Sequence, residues 1–167
     1  LLGGADSEPE ADAAAGADVS TASVGSEAGA EEHLTSEEGD ALGEIANISM
    51  GTAATTLSVL LNNRVEITTP ALSYVTVDDL KERNQAPCVF VYIAYRTGLE
   101  GRNVLVLKER DVKIITDLMM GGDGTNTDVE LSDLHLSAIS EAMNQMMGSS
   151  ATSMSTMINE MVDISPP

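Results

Sequence analysis

Two long stretches of the chain carry apolar residues at helical spacing, and a region of strand-like composition separates them. The first stretch follows Thr35 and Glu38, which have the spacing of a capping box, and acidic residues crowd its first turn, where the helix dipole favours them. This pattern predicts a helix from about Ser36 to Leu61. The second stretch predicts another long helix, from about Leu131 to Asn159.

The region between these helices predicts a β-rich layer and one further helix. Its apolar runs are rich in Val, Ile, Leu and Tyr, and a glycine-containing segment at 97–102 suits a hairpin connection. Helical spacing then returns and ends at Gly121 and Gly122, a common stop signal. The predicted elements are strands 72–77, 88–95 and 103–108, a helix over 109–122 and a polar loop over 123–130.

The N-terminal segment has a different composition from the rest of the chain. Residues 1–33 are mainly Ala, Gly, Ser, Glu and Asp, and such a segment cannot bury enough apolar surface to offset the entropy of ordering it. Residues 1–39 hold ten of the 27 acidic residues and no Lys or Arg. We therefore expect a disordered acidic linker over 1–34 and one folded domain over 35–167.

Charge and composition exclude several classes of function. The formal net charge of −19 argues against nucleic acid and anionic membrane surfaces, which need basic contacts. No window approaches the roughly 18 apolar residues of a membrane span, so no membrane insertion is expected and a cytoplasmic location is favoured. Cys88 is the only cysteine and lies in an apolar run, which favours a buried, inert thiol.

An internal repeat is the strongest signal in the sequence. Residues 40–70 and 137–167 align without gaps at a shift of 97 residues, and 12 of the 31 positions are identical. The repeat predicts an α+β fold in which a helix-plus-antiparallel-strands unit is duplicated about a pseudo-two-fold axis, with the two long helices packed on the sheet. Because each copy needs strands to cover its helix, about 30 further residues of sheet are expected after Pro167 in the natural protein.

Each copy places four polar or small residues on one helical stripe. A residue advances about 100° along a helix, so positions four, three and four apart share a face. Leu42, Ile45, Ala53 and Leu60 lie on the opposite side of the first helix and are expected to face the core. The two stripes are Asp40, Glu44, Asn47, Gly51 and Ser137, Glu141, Asn144, Gly148.

A single stripe of this kind would be read as a solvated helix face. Asn and Gly are poor helix formers, however, and they recur at matching positions in both copies. An amide is neither a base nor a nucleophile, but it can fix the orientation of a water molecule, which suits phosphoryl transfer, a reaction that depends on positioning and charge compensation. A glycine one turn beyond the amide leaves room for another surface to approach.

The pattern Asp/Ser-x3-Glu-x2-Asn-x22-Pro resembles the signature of the CheC/FliY/CheX-type phosphatases of bacterial chemotaxis. The first copy supplies Asp40, Glu44, Asn47 and Pro70. The second copy matches in full as well, with Ser137, Glu141, Asn144 and Pro167. The resemblance covers about 35–167 and implies hydrolysis of the aspartyl-phosphate of the response regulator CheY.

The resemblance also implies the role of each motif residue. Asn47 and Asn144 would orient the hydrolytic water, and Glu44 and Glu141 would pair with a lysine of CheY. The chain would need no cofactor of its own, since Mg²⁺ would be held by phosphorylated CheY, and no metal site is expected here.

The acidic leader and its first residues, LLGG, resemble the flagellar motor switch members of this family. They imply switch-ring proteins as further partners and a place at the cytoplasmic face of the flagellar basal body. A free CheC-type phosphatase and a non-catalytic switch scaffold that binds CheY remain alternatives.

Three other patterns favour structural roles. The loop over 123–130 carries oxygen ligands without EF-hand spacing, so a solvated loop is preferred. His135 and its neighbours two residues away do not share a helix face, which argues against a catalytic triad. The methionines of the second long helix are interpreted mainly as core residues: Met143, Met146, Met147, Met154, Met157 and Met161.

Overall fold

The computed structural model describes residues 20–23 and 34–167 of the chain. Two helices of equal length, 26 residues each, dominate it. The elements in chain order are β1 Ser20–Ser23, α1 Ser36–Leu61, α2 Val77–Arg83, β2 Cys88–Thr97, β3 Arg102–Lys108, α3 Glu109–Met119, α4 Asp133–Ile158 and β4 Asp163–Ile164. Within these residues, every helix falls short of the combined length and apolar character that a membrane span requires.

The four strands form one antiparallel sheet in the order β1-β3-β2-β4. The hairpin that joins β2 to β3 requires glycine at Gly98, which has a φ of +78°. A Cβ atom there would also clash with the backbone carbonyl of Met161, in the segment that leads into β4. This glycine therefore lets the hairpin turn and lets β4 lie beside β2.

The helices pack on one face of this sheet. Val91 lies opposite Leu105, and Val89 lies opposite Leu107, so their side chains share the inner face. Helices α1, α3 and α4 cover that face and bury a core of aliphatic and methionine side chains. Each such buried side chain contributes about 1.5–3 kcal/mol relative to exposure. The predicted α+β class is confirmed.

The prediction of a strand over 72–77 is wrong. Residues 71–76 form no regular element, and α2 begins at Val77. The side chain of Thr76 accepts a hydrogen bond from the backbone N–H of Asp79 at 3.1 Å, and the Asp79 carboxylate accepts from the Thr76 backbone N–H at 2.9 Å. This capping box starts a helix in a run whose β-branched composition suggested a strand.

One strand lies inside the segment that was predicted to be a disordered linker. Ser20–Ser23 pairs antiparallel with β3, from Ser20 opposite Val106 to Ser23 opposite Asn103. The prediction of disorder is wrong for these four residues, because their backbone groups pair with those on the open edge of β3. Residues 1–19 and 24–33, including the LLGG start, lie outside the described part of the chain.

The predicted core is confirmed for five of the ten residues that the sequence assigned to it. Met143, Met146, Met147 and Met154 of α4 are buried, as is Ala53 of α1. Two expectations are wrong: Leu42 is 44% exposed, and Met161 is 71% exposed. Ile45, Leu60 and Met157 are only partly buried and pack against the edges of the core.

The predicted duplication is confirmed in local detail. Each long helix ends at an asparagine with left-handed backbone geometry, Asn62 with φ of 50° and Asn159 with φ of 55°. One turn before the end of α1, the Ser58 hydroxyl accepts from the backbone N–H of Val65 at 2.9 Å. In the second copy, the Ser155 hydroxyl accepts from the Val162 N–H at 2.8 Å.

The contact between α1 and α4 shows the same symmetry. The Thr56 hydroxyl donates to the Ser149 hydroxyl at 2.8 Å, and the Thr52 hydroxyl lies 3.4 Å from that of Ser153. A shift of 97 residues exchanges these two contacts, as an isologous interface requires. The residue numbers of the contacting α4 residues fall as those of α1 rise, so the two helices run antiparallel. We call these four hydroxyl residues the seam.

Candidate functional site

The first stripe lies on the solvent-facing surface of α1. Asp40, Glu44, Asn47 and Gly51 are all exposed. No side-chain hydrogen bond or ion pair joins Glu44 or Asn47 to any other residue of the described chain. Both functional groups are therefore free to meet a partner, since neither is engaged in holding the fold.

The second stripe lies at the matching place on α4. Ser137 and Glu141 are exposed, and Asn144 and Gly148 are partly exposed. One contact distinguishes it from the first stripe: Nε2 of Gln145 donates to Oε1 of Glu141 at 2.6 Å. The residue that corresponds to Gln145 in the first copy is Ile48, which cannot donate.

The two stripe glycines are not required by internal packing. A Cβ atom built on Gly51 or Gly148 meets no heavy atom within 4 Å. Both residues are helical and have ordinary backbone angles, so neither is needed for a turn. Glycine costs about 1 kcal/mol relative to alanine within a helix. Their recurrence one turn after each asparagine is consistent with close approach by another molecule.

The two stripes are separate candidate sites. The seam is centred on Ala54 and Ala151, and each asparagine lies seven residues before that centre. At about 1.5 Å per residue, Asn47 and Asn144 lie about 20 Å apart along the helices. One phosphoryl group therefore cannot contact both amides.

A shallow depression lies beside each site, between α1 and α4. Each is bounded by the residue that follows the asparagine and by the C-terminal half of the other helix. The first is lined by Ile48, Thr52, Ser149, Thr152, Ser153, Thr156 and Met157. The second is lined by Thr55, Thr56, Val59, Leu60 and Gln145, which are pseudo-symmetry mates of five of these. Both helices thus contribute residues to the depression beside each candidate site.

Other candidate residues have structural roles. Nδ1 of His135 accepts from the backbone N–H of Ser132 at 3.1 Å, so this histidine caps α4. The Asp123 carboxylate accepts from the hydroxyl and backbone N–H of Thr125, which lowers the pKa of this carboxyl and shapes the loop. Cys88 is partly buried with a free thiol. Among the described residues, no three His, Cys, Asp or Glu side chains are grouped to hold a metal ion.

Sequence reasoning missed two features of the site region. It did not anticipate the seam, although hydroxyl residues spaced four apart on both helices, Thr52 and Thr56 with Ser149 and Ser153, are a usable signal. It also missed the bond between Glu141 and Gln145, which an acid followed four residues later by an amide would have indicated.

The exposed, duplicated stripes on paired antiparallel helices define a class of protein. The model of the CheC-like family matches residues 37–74 and 134–167, which include both stripes. A solved structure of FliY from Thermotoga maritima is 49% identical, with a TM-score of 0.75, over 80% of this chain and 68% of that one. The chain belongs to the CheC-like family.

A curated relative agrees with this assignment. The flagellar motor switch phosphatase FliY of Bacillus subtilis (strain 168) is 50% identical over 134 residues, which make up 80% of this chain. The chain spans only about a third of that relative, 35% of its length. A chain in the crystal structure of the FliG–FliM complex from H. pylori shares the fold, with a TM-score of 0.67 at 18% identity, over 79% of this chain and 73% of that one.

Proposed function

We propose that the chain hydrolyses the aspartyl-phosphate of CheY at the flagellar motor switch. The observation that carries the proposal is the exposed Glu-x2-Asn stripe, present twice at pseudo-symmetric positions, with both asparagines unengaged by the fold. The name of the Bacillus relative, a flagellar motor switch phosphatase, supports the same activity.

In this reaction the asparagine amide orients water. The carbonyl oxygen of Asn47 or Asn144 accepts a hydrogen bond from the water, and this aims a lone pair of the water at phosphorus, in line with the bond to the aspartate. The new P–O bond forms as the old one breaks. Inorganic phosphate leaves, the partner's aspartate carboxylate is regenerated, and a proton of the water goes to phosphate or solvent. The amide itself neither gains nor loses a proton.

The glutamates dock the partner. Glu44 and Glu141 each lie one turn before the asparagine, and a carboxylate there pairs with a cation, such as a lysine, beside the partner's phosphate. Asp40 and Ser137 flank that contact, while Gly51 and Gly148 let the partner's backbone come close. The Mg²⁺ that compensates the phosphate charge belongs to the partner, and this chain supplies no cofactor.

The proposal also assigns a location. Similarity to motor switch proteins supports a position at the cytoplasmic face of the membrane, in the basal body, with switch-ring proteins as further partners. At that position the enzyme would act on CheY where CheY exerts its effect on rotation.

The decisive experiment measures phosphate release from phosphorylated CheY. We expect Asn47→Ala and Asn144→Ala each to remove the turnover of one site. In the double variant, the rate of phosphate release should fall at least about 100-fold. Asn63→Ala is the matched control, because Asn63 is an exposed asparagine near the end of α1 that lies outside the stripe. It should release phosphate at the parental rate.

A scaffold that only binds CheY makes the opposite prediction. In that case the double variant would match the parent at every concentration of CheY, while Glu44→Ala and Glu141→Ala would still weaken binding. Equal rates for parent and double variant would therefore overturn the phosphatase assignment and favour the scaffold.

A further inference from the structure

The two candidate sites differ in how their glutamates are held. Glu141 accepts a hydrogen bond from the Gln145 amide at 2.6 Å through Oε1. At the first site Ile48 occupies the corresponding position, and Glu44 has no side-chain partner among the described residues. Both glutamates are exposed, so burial does not account for the difference.

The geometry of this bond leaves Glu141 competent to bind. A carboxylate has two oxygens and about four acceptor positions, and the amide uses one of them. Oε2 accepts no hydrogen bond from any described residue and can still pair with a cation. Gln145 thus fixes the side chain without blocking it.

Fixing an exposed glutamate lowers the entropic cost of binding. A free glutamate samples many rotamers, and a partner must stop that motion when it forms an ion pair. At the second site the amide has already restricted it. At the first site Ile48, 43% exposed, offers only apolar surface beside Glu44.

We propose that Gln145 is a positioning residue that presents Glu141 to the partner's cation, and that the first site lacks this device because Ile48 replaces it. The inference rests on the proposed function for its partner. The second site should bind the partner more tightly than the first through this contact, while the turnover step, which depends on Asn47 and Asn144, is the same at both.

The position of Gln145 supports a role toward a partner rather than toward the fold. Its side chain is exposed and lines the second depression together with residues of α1, beside the stripe. A pair four residues apart on an exposed helix face adds little to stability. A purely structural role would change the melting temperature and leave affinity alone.

The test measures each site in isolation in the full chain. Glu44→Ala with Asn47→Ala leaves only the second site, and Glu141→Ala with Asn144→Ala leaves only the first. Affinity is measured by titration with beryllofluoride-activated CheY, a stable mimic of the phosphorylated form, and kcat and KM by phosphate release.

In the second-site background, we expect Gln145→Met to raise Kd and KM about threefold with kcat unchanged. Methionine keeps the unbranched shape and the helix propensity but removes the donor. In the first-site background, Ile48→Gln should lower Kd about two- to threefold relative to Ile48→Met, the matched control that changes shape without adding a donor.

Three results would overturn the inference: an unchanged Kd in Gln145→Met, a fall in kcat with constant KM, or equal Kd for Ile48→Gln and Ile48→Met. Failure of the proposed function would look different, because turnover would then be insensitive to both asparagines. The affinity measurements do not depend on turnover and would still decide the role of Gln145.

Discussion

The N-terminal halves of α1 and α4 carry corresponding stripes but have unequal surroundings. Ile139 of α4 is fully buried, whereas its pseudo-symmetry mate Leu42 is 44% exposed. Strands β2 and β3 and helix α3 cover α4, whereas α1 has an irregular segment at the equivalent place, with the Leu72 side chain beside Gly43. The C-terminal halves, which meet across the seam, bury side chains in both copies, among them Ala54 and Ala151. Local geometry therefore follows the repeat, while burial follows what packs on each helix.

The largest expected effect tests this difference in burial. Ile139→Ala should lower the free energy of unfolding by about 2–5 kcal/mol, because it leaves a cavity in the core. Leu42→Ala, its matched control, should cost less than about 1 kcal/mol, since its side chain already contacts water. Urea denaturation of both variants measures the two costs. Equal costs would mean that Leu42 is covered in solution.

A smaller effect tests where the two halves agree. Ser58→Ala and Ser155→Ala each remove the acceptor for a backbone N–H, that of Val65 or Val162, and should each cost about 1–3 kcal/mol. Thr152→Ala is the control, because its exposed hydroxyl bonds only to a carbonyl of its own helix. If one serine cost several times more than the other, the two connections would not be equivalent.

The smallest effect concerns the starts of the two helices. Hydrogen bonds from the backbone N–H and then the hydroxyl of Thr35 hold the pKa of the Glu38 carboxyl below its ordinary value of 4.5. The ionised form is favoured in the folded state, so this cap stabilises α1 above pH 4.5 and is lost as the pH falls through the lowered pKa. In α4 the corresponding acceptor is His135, a different group.

The cap of α1 can be tested by hydrogen exchange at its first amides. Protection there should fall as the pH drops below 4.5. In Glu38→Gln, whose neutral amide oxygen can accept the same backbone bond, that additional loss should be absent. The same acid dependence in both proteins would assign the loss to another group.

The elements that sequence predicted well are those fixed by local pattern. The start of α1 follows from the capping-box spacing of Thr35 and Glu38, and strands β2 and β3 follow from their apolar runs and the glycines between them. The stripes could be placed because helical periodicity puts residues three and four apart on one face.

The errors arose where tertiary surroundings decide the outcome. Leu42 has a core-facing position, but its exposure depends on which element covers α1. The strand prediction at 72–77 gave weight to β-branched composition and overlooked the capping box of Thr76 and Asp79. β1 belongs to a segment whose composition predicts disorder, and only the open edge of β3 gives it a partner.

Glycine at positions 51 and 148 makes the protein less stable than it could be, although there is open space for a larger side chain. Alanine at either position would fit without a clash and would favour the helix by about 1 kcal/mol. A screen for thermal stability alone would therefore select alanine at both sites. If the partner approaches there as proposed, that gain would be made at the expense of access. These glycines would then lower the stability of the helices in order to keep the surface accessible, a stability–activity trade-off that involves no strained side chain.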